Sequence, residues 1–289
     1  MSTGFDRRCV AARPDLAAAH LAGRVEAARF VTGTLMQVCE EFAPLYPQPS
    51  RDAPLDTQAL YGETVMVYEE DAEGWAWGQL SRDDYVGYIP EQALRPARSK
   101  ATHRVRVPRT FVYPGRSIKL PVVCALPLGA AVEIAASQDD FAEVAGLGYV
   151  FAGHLAPCDS AEPDFVTVAE CFLHAPYLWG GKTCLGLDCS GLVQVSLAAA
   201  GHDVPRDTDL QEASIGEKIA IGADLSGLQR GDLVFWQGHV GIMRDAATLL
   251  HANAHHMLVA SEMLTAARDR ILAKGHGPVT VVRRLPAGG

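Results

Sequence analysis

The stretch Pro176-Tyr177-Leu178-Trp179-Gly180-Gly181-Lys182-Thr183-Cys184-Leu185-Gly186-Leu187-Asp188-Cys189-Ser190-Gly191-Leu192-Val193 is the most informative part of this chain. A glycine-rich loop with two aromatic residues leads into Asp-Cys-Ser-Gly, and apolar residues then recur at helical spacing as far as Ala200. The pattern predicts a buried helix that starts near Cys189 and ends at Gly201. Unpaired N–H groups and the helix dipole favour a thiolate at such a position. We therefore expect a nucleophilic cysteine with a lowered pKa.

The composition is that of a globular protein with more than one domain. The 289 residues are 48% hydrophobic and 20% charged, with a formal net charge of −9. A nucleic-acid surface would need a basic stripe, so we expect no nucleic-acid partner. No run of 18 apolar residues occurs, so we also expect no membrane partner.

The cysteines point to a reducing compartment. There are seven, an odd number at irregular spacings, and no C-x-x-C pair suggests zinc. The first residues lack the apolar segment of a secretory signal. We therefore expect a cytoplasmic protein that needs no cofactor and no metal.

The chain reads as four segments. Residues 1–30 form an arm in which 15–30 is predicted to be a short amphipathic helix. Residues 31–98 contain short strands with glycine turns, which favour a small barrel. Residues 99–160 repeat that order more weakly, because Phe141-Ala-Glu-Val-Ala-Gly-Leu-Gly-Tyr-Val-Phe parallels Trp75-Ala-Trp-Gly-Gln-Leu followed by Tyr85-Val-Gly-Tyr-Ile. Residues 161–289 place helices before an antiparallel sheet, an α+β layout.

Two histidines supply the base that a thiol nucleophile needs. His239 begins a predicted strand, and His251 lies on the next one, beyond a turn over 244–248. Adjacent antiparallel strands can bring the two rings side by side. His239 would then face Cys189, and His251 would orient the far nitrogen of the His239 ring.

These residues carry two family resemblances. The first barrel segment resembles a bacterial SH3 domain in the motifs T-Q-A-L-Y-G-E-x-V-x-V, G-W-A-W-G-Q-L and Y-V-G-Y-I-P-E-Q-A-L. The segment that contains Cys189 and the two histidines resembles the NlpC/P60 family of cysteine peptidases. The matching motifs are P-Y-L-W-G-G-K-T, G-L-D-C-S-G-L-V, P-R-D-T-D-L-Q, L-Q-R-G-D-L-V-F-W, G-H-V-G-I-M and L-L-H-A. The fold implied is α+β, with a papain-like catalytic domain preceded by two small all-β SH3-like barrels and the N-terminal helix.

The NlpC/P60 resemblance also implies roles. Cys189 would be the nucleophile, His239 the base and His251 the third polar member, while Tyr177 would lie near the oxyanion. The family cuts peptidoglycan stem peptides between γ-D-glutamate and the next diamino acid.

The resemblance is greatest to family members with SH3 domains, the γ-D-glutamyl-L-diamino acid endopeptidases. It implies that Asp207, Thr208, Tyr85 and Glu63 hold the free amine of an N-terminal L-Ala, with Tyr88 an alternative to Tyr85. Trp179, Asp188 and Ser190 are further candidates for substrate binding. The expected partner is thus a free stem peptide, L-Ala-γ-D-Glu-diamino acid, in murein peptide recycling.

Other interpretations remain open at this stage. A secreted hydrolase of intact wall could use its SH3 domains to bind wall polymer. A second alternative is a non-catalytic wall-binding protein, but such a protein would not need Cys189, His239 and His251 together. A third is an acyltransferase on the same fold, which would transfer the acyl group to an amine and not to water. The histidine-rich stretch 251–256 could suggest a metal site, but no carboxylate or cysteine lies at ligand spacing in the sequence.

Overall fold

The computed structural model describes residues 5–98, 100–220, 222 and 225–286. The chain divides into two compact units, Met1–Ser160 and Ala161–Gly289. The first is built from strands, and the second combines helices with one large sheet. Among the described residues, no helix combines the length and the apolar character that a membrane crossing requires.

The strands of the first unit are short. They are β1 (Ala17–Ala18), β2 (Phe30–Val31), β3 (Thr34–Val38), β4 (Phe42–Leu45), β5 (Thr57–Leu60), β6 (Thr64–Glu70), β7 (Trp75–Leu80), β8 (Val86–Pro90), β9 (Leu94–Pro96), β10 (His103–Val105), β11 (Arg109–Val112), β12 (Cys124–Pro127), β13 (Ala131–Val132), β14 (Ile134–Gln138), β15 (Phe141–Val144), β16 (Gly148–Phe151) and β17 (Leu155–Pro157). Single 3₁₀ turns occur at Ala19–Leu21, Glu91–Ala93 and Ala152–His154.

The first barrel contains the strands that the sequence predicted after residue 31. Its main sheet has the order β8-β7-β6-β3-β9, and β4 pairs with β5. In β6, Val65 and Val67 are buried whereas Thr64 and Met66 are half-buried, the alternation of a strand with one face on a core. Val38, Leu45 and Ile89 complete that core.

The same topology recurs in the second barrel, as the internal repeat predicted. β10 pairs with β13 and β17, β11 pairs with β12, and β14, β15 and β16 form a meander. In both barrels a 3₁₀ turn precedes the last strand, and a tyrosine pair bridges two strands, Tyr46 with Tyr88 and Tyr113 with Tyr149. The strands β12 and β17 were not predicted.

The predicted helix over 15–30 is wrong. The segment instead forms β1, a 3₁₀ turn and then β2, which pairs in parallel with β1. Gly23 adopts φ +79°, which interrupts helical backbone. Leu16 and Leu21 pack in one cluster with Trp77 of β7, so burial against the barrel overrides the helical spacing.

The second unit begins with helices and ends with the sheet. Its elements are α1 (Phe165–Glu170), β18 (Lys182–Thr183), β19 (Gly186–Leu187), α2 (Cys189–Ala199), α3 (Thr208–Ser214), β20 (Glu217–Ile219), β21 (Leu233–Trp236), β22 (His239–Met243), β23 (Thr248–Asn253), β24 (Leu258–Met263), α4 (Leu264–Ala273) and β25 (Val281–Arg284).

The large sheet is antiparallel and has the order β20-β25-β21-β22-β23-β24. Helix α2 packs against β22 and β23, so its start lies beside the two strands that carry the histidines. All of α2 except Ala198 is buried, as expected of a helix that is apolar all round. The chain leaves α2 through Gly201 at φ +84°, the left-handed residue that commonly ends a helix.

Candidate active site

Asp188 fixes the start of α2. As the N-cap residue, it accepts hydrogen bonds from the backbone N–H of Gly191 at 2.7 Å and of Gly180 at 2.8 Å. The Arg206 guanidinium lies 2.6 Å from the same carboxylate, and its side chain is only 1% exposed. One buried ion pair therefore joins the helix start, the glycine loop and the segment before α3.

Two glycines permit this close approach. A Cβ atom at Gly191 would lie 2.3 Å from the carbonyl oxygen of Gly181, and a Cβ atom at Gly181 would lie 2.3 Å from the carbonyl oxygen of Gly186. Both distances are far below van der Waals contact. The glycine-rich pattern before Cys189 therefore serves to press the loop against the helix.

Cys189 is the first residue of α2 and is 8% exposed. Its Sγ atom lies 3.7 Å from the hydroxyl oxygen of Thr208, and the backbone N–H of Val240 donates to it. Burial, with a smaller effect of the Asp188 charge, raises the pKa of Cys189 to about 11. The predicted lowered pKa is therefore wrong, because the loss of hydration outweighs the helix N-terminus.

The two histidines meet as the strand spacing predicted. His239 follows Gly238, whose φ of +72° makes the tight turn between β21 and β22. The Nε2 atom of His239 lies 2.8 Å from Nδ1 of His251 on β23. His251 is 1% exposed, so its ring is held within the sheet.

A carboxylate that was not predicted from the sequence lies behind His251. Glu262 on β24 lies 2.9 Å from Nε2 of His251, and the Arg270 guanidinium on α4 donates to Glu262 at 2.6 Å. In the register of β23 with β24, Glu262 stands opposite Leu249, two positions from His251 along the strand. Strand pairing creates this contact, so the spacing of 11 residues gives no signal of it.

This chain of hydrogen bonds determines the tautomers. Because a carboxylate only accepts, Nε2 of His251 donates to Glu262, and Nδ1 of His251 then accepts from Nε2 of His239. Nδ1 of His239 is left with a lone pair and can act as a base. Burial opposes ionisation of Glu262, but hydrogen bonds from Arg270 and His251 outweigh it and lower the pKa of that carboxyl group.

Burial favours the neutral forms of both Cys189 and His239 in the free protein. Burial, with the nearby positive charges, lowers the pKa of His239 to about 3, while the pKa of Cys189 is about 11. Burial also lowers the pKa of His251, against the effect of Glu262. The arrangement is therefore suited to general-base activation of a thiol rather than to a preformed ion pair.

Cys189, His239, His251 and Tyr177 line one cavity of about 310 Å³. Burial raises the pKa of Tyr177, and the charges of Cys189 and Asp188 raise it further, so its hydroxyl keeps its proton. A hydroxyl proton in this cavity is the donor that the predicted oxyanion role requires.

The other candidate residues of this unit differ in their surroundings. Thr208 is buried beside Cys189, whereas Asp207 is the N-cap residue of α3 without a side-chain capping bond. The Ser190 hydroxyl donates a hydrogen bond to Asp188 and accepts one from Arg206. The side chains of Asp188 and Ser190 therefore form hydrogen bonds to other residues of the protein. Trp179 is 64% exposed on the loop.

The remaining candidates belong to the first unit. Tyr85 is buried in the core of the first barrel, and Tyr88 is half-buried with its hydroxyl accepting from Arg13 at 2.9 Å. Glu63 is buried, accepts from the backbone N–H of Leu60 at 2.9 Å and pairs with Arg82 at 2.7 Å. A role for these residues in binding an amine stays a prediction.

One trio of side chains has the spacing of metal ligands. Ligating atoms of His251, His256 and Glu262 lie within 4.8 Å of one another, so Glu262 supplies the carboxylate that the sequence spacing did not suggest. Glu262 is already bound by Arg270 and His251, and both bonds would compete with a cation. The trio therefore fits the hydrogen-bond relay better than a metal site.

Comparisons with known proteins agree with this geometry. The NlpC/P60 family profile matches residues 174–272, and the profile described as "Bacterial dipeptidyl-peptidase Sh3 domain" matches residues 45–94. A γ-D-glutamyl-L-lysine dipeptidyl-peptidase of Bacillus subtilis is 30% identical over 227 residues, which cover 70% of this chain and 73% of the relative. Dipeptidyl-peptidase 6 of Lysinibacillus sphaericus is 26% identical over 73% of this chain and 84% of its own length.

A solved structure shares the fold. The NlpC/P60 family protein from Bacillus cereus ATCC 10987 superposes with a TM-score of 0.72 at 18% identity, covering 88% of this chain and all of that chain. At this identity the match concerns the fold alone.

Proposed function

The chain belongs to the NlpC/P60 family of cysteine peptidases, and from that premise we propose that it hydrolyses the amide bond between γ-D-glutamate and the diamino acid of peptidoglycan stem peptides. The observation that carries the proposal is the cavity in which Cys189, His239 and His251 meet. The substrate follows from the B. subtilis relative, whose name specifies a γ-D-glutamyl-L-lysine bond.

The first chemical step is attack by a neutral thiol. As Sγ of Cys189 bonds to the γ-carbonyl carbon, its proton passes to Nδ1 of His239. The hydrogen bond from Nε2 of His239 to His251 orients the ring and stabilises the positive charge that forms, as does Glu262 behind His251. The backbone N–H of Cys189 and the hydroxyl of Tyr177 are the donors that we assign to the developing oxyanion.

The second step releases the amine. The C–N bond breaks as His239 returns its proton to the leaving nitrogen, and a thioester to Cys189 remains. Water then attacks the thioester with His239 again as the base, and the thiol is restored. The two products are a peptide that ends in γ-D-glutamate and a product that begins with the diamino acid.

We further propose that the substrate is a peptide with a free N-terminal L-Ala. Thr208 and Asp207 stand at the start of α3, with Thr208 in contact with the nucleophile. We assign the amine to Asp207 and Thr208. A carboxylate and hydroxyl groups are suitable acceptors for an ammonium group.

We assign such a peptidase to murein peptide recycling in the cytoplasm. None of the seven cysteines, which all lie in the described part of the chain, forms a disulfide bond, and this is typical of proteins in a reducing compartment. Free stem peptides are the substrates that a recycling enzyme would meet, whereas a secreted hydrolase would act on the intact wall.

The experiment compares three substrates with the full-length protein. The free tripeptide L-Ala-γ-D-Glu-diamino acid should be cleaved, its N-acetyl derivative should lose at least about tenfold in kcat/KM, and intact sacculi should release no fragment. The loss reflects an ammonium group that can no longer pair with the half-buried Asp207 carboxylate, a contact worth about 1.5–3 kcal/mol. Equal turnover of the free and acetylated peptides would contradict the amine site, and fragments from sacculi would favour the secreted hydrolase.

A further inference from the structure

The catalytic cavity has a basic wall, and its members Lys274, His255 and His276 have no part in the hydrolytic steps. We define the basic wall as Arg270 on the last turn of α4, Lys274 at the C-cap position of that helix, His276 after it, and His255 in the turn between β23 and β24. None of the described residues that line the cavity is an aspartate or a glutamate. The chain as a whole has a formal net charge of −9, so the sign of this wall is opposite to the net charge of the protein.

The positive charge of the wall is only partly neutralised. Glu262 pairs with Arg270, whereas the ammonium group of Lys274 lies beside the ring of His255, with Nζ and Nδ1 3.4 Å apart. In the part of the chain that the structure describes, no carboxylate forms an ion pair with Lys274. One cation and two imidazoles are therefore available to an anionic group in the cavity.

Protonation of the leaving amine by His239 determines which part of the substrate lies beside the basic wall. His239 must protonate the leaving amine, so the residue that carries this amine lies on the His239 side of the cavity. In an amino acid the carboxyl carbon is about 2.5 Å from the nitrogen, because two bonds of about 1.5 Å join them. A free carboxylate on the leaving residue would thus enter the same cavity as His239.

We propose that the basic wall, with Lys274 as its principal cation, binds a free carboxylate of the residue on the leaving-group side of the scissile bond. This deepens and rests on the proposed function. It names the substrate class as peptides in which the diamino acid ends in a free acid rather than an amide. A carboxylate accepts from the lysine ammonium group and from imidazole N–H groups, while a carboxamide lacks the charge.

The test uses the full-length protein and two tripeptides, L-Ala-γ-D-Glu-L-Lys with a free terminal acid and the same peptide with a terminal amide. We expect the wild-type kcat/KM to favour the acid by about threefold to tenfold, the range for a partly exposed ionic contact. In Lys274→Met the ratio of acid to amide should fall toward one, and in Lys274→Glu it should invert. The matched control is Lys218→Met, an exposed lysine on β20 at the opposite edge of the sheet, which should keep the wild-type ratio.

A third peptide distinguishes binding of the terminal carboxylate from binding of the glutamate carboxylate. It carries D-isoglutamine in place of D-glutamate and keeps the terminal acid. Lys274→Met could abolish the preference for D-glutamate over D-isoglutamine and leave the preference for a terminal acid over a terminal amide intact. In that case the wall binds the glutamate carboxylate, and the proposal is overturned. Equal wild-type turnover of terminal acid and amide also overturns it, while the peptidase assignment stands. Failure of the wild-type protein to cleave any of the peptides would contradict the proposed hydrolysis as well.

Discussion

Cys189 and His239 show how burial controls reactivity at a single residue. The dipole at the start of α2 stabilises a thiolate by about 0.3–1 kcal/mol, or up to about 2 kcal/mol in partly buried geometries. Cys189 is nevertheless 8% exposed and beside Asp188, and its pKa is about 11. The thiol is therefore activated when a substrate is in place and the proton can pass to His239 during attack.

The first prediction concerns the pH dependence of alkylation in the free protein. Because the thiol pKa of Cys189 is raised to about 11, its thiolate fraction should be small at pH 7 and should increase up to and beyond pH 9. The exposed Cys171 should therefore react with iodoacetamide before Cys189. Peptide mapping by mass spectrometry at several pH values measures both rates.

The sequence-based expectation makes the opposite prediction. A thiolate stabilised by the helix N-terminus would react well below pH 8 and ahead of the other six cysteines. Preferential labelling of Cys189 at pH 6, with a rate that does not increase toward pH 9, would contradict the neutral pair.

The second prediction concerns Glu262 as a positioning residue. In Glu262→Gln the fixed charge behind His251 is lost and Arg270 loses its partner, so the imidazolium that forms during attack is less stabilised. We expect kcat to fall by about tenfold, equivalent to about 1.4 kcal/mol, with little change in KM. Steady-state kinetics on the tripeptide measure the two parameters separately.

The matched control is Glu217→Gln, an exposed glutamate on β20. It should keep the wild-type kcat. A lower melting temperature of Glu262→Gln with an unchanged kcat would mean that Glu262 supports only the fold.

At the scale of elements, the start of α2 depends on one buried ion pair. Arg206 bridges Asp188, Ser190 and the glycine loop, and its side chain is 1% exposed. Removal of one partner from such a pair leaves an uncompensated charge in the interior, whereas removal of both charges is much less costly. The pair therefore couples the position of the nucleophile to the stability of the second unit.

The third prediction follows from this pair. Arg206→Met should lower the free energy of unfolding by about 3–5 kcal/mol, because the Asp188 carboxylate remains buried without its cation. The double variant Asp188→Asn with Arg206→Met should recover part of the loss, since asparagine is also a good N-cap residue. Urea denaturation, followed by the fluorescence of the buried Trp236 and Trp77, measures the change. A double variant less stable than Arg206→Met would contradict the argument.

Elements whose signal is local were predicted well from the sequence. The helix from Cys189 to Ala199, its end at Gly201 and the two histidine strands all follow from apolar spacing and glycine positions. Contacts between side chains of different elements, which depend on the tertiary structure, were not predicted. Glu262 reaches His251 through strand register, Arg206 reaches Asp188 from before α3, and the arm over 15–30 becomes extended because the barrel buries its apolar residues.

At the scale of the whole molecule, the chain joins a duplicated barrel topology to a peptidase unit. Both barrels repeat the same pairings and the same 3₁₀ turn before the last strand, although only residues 45–94 match the SH3 profile. Duplication explains how the weaker second copy could be predicted from the order of its strands. The proposed amine site and the basic wall would together limit the substrate at both ends, which suits a short free peptide.

The proposed function depends on attack by Cys189 on the γ-D-glutamyl bond. Its most direct test is mass spectrometry of the products from L-Ala-γ-D-Glu-L-Lys, incubated with the wild-type protein and with Cys189→Ala. The proposed mechanism predicts the dipeptide L-Ala-γ-D-Glu and free lysine from the wild type, a transient thioester on Cys189 that adds the dipeptide mass less one water, and no product from Cys189→Ala. Cleavage at the L-Ala bond, or equal product from Cys189→Ala, would contradict it.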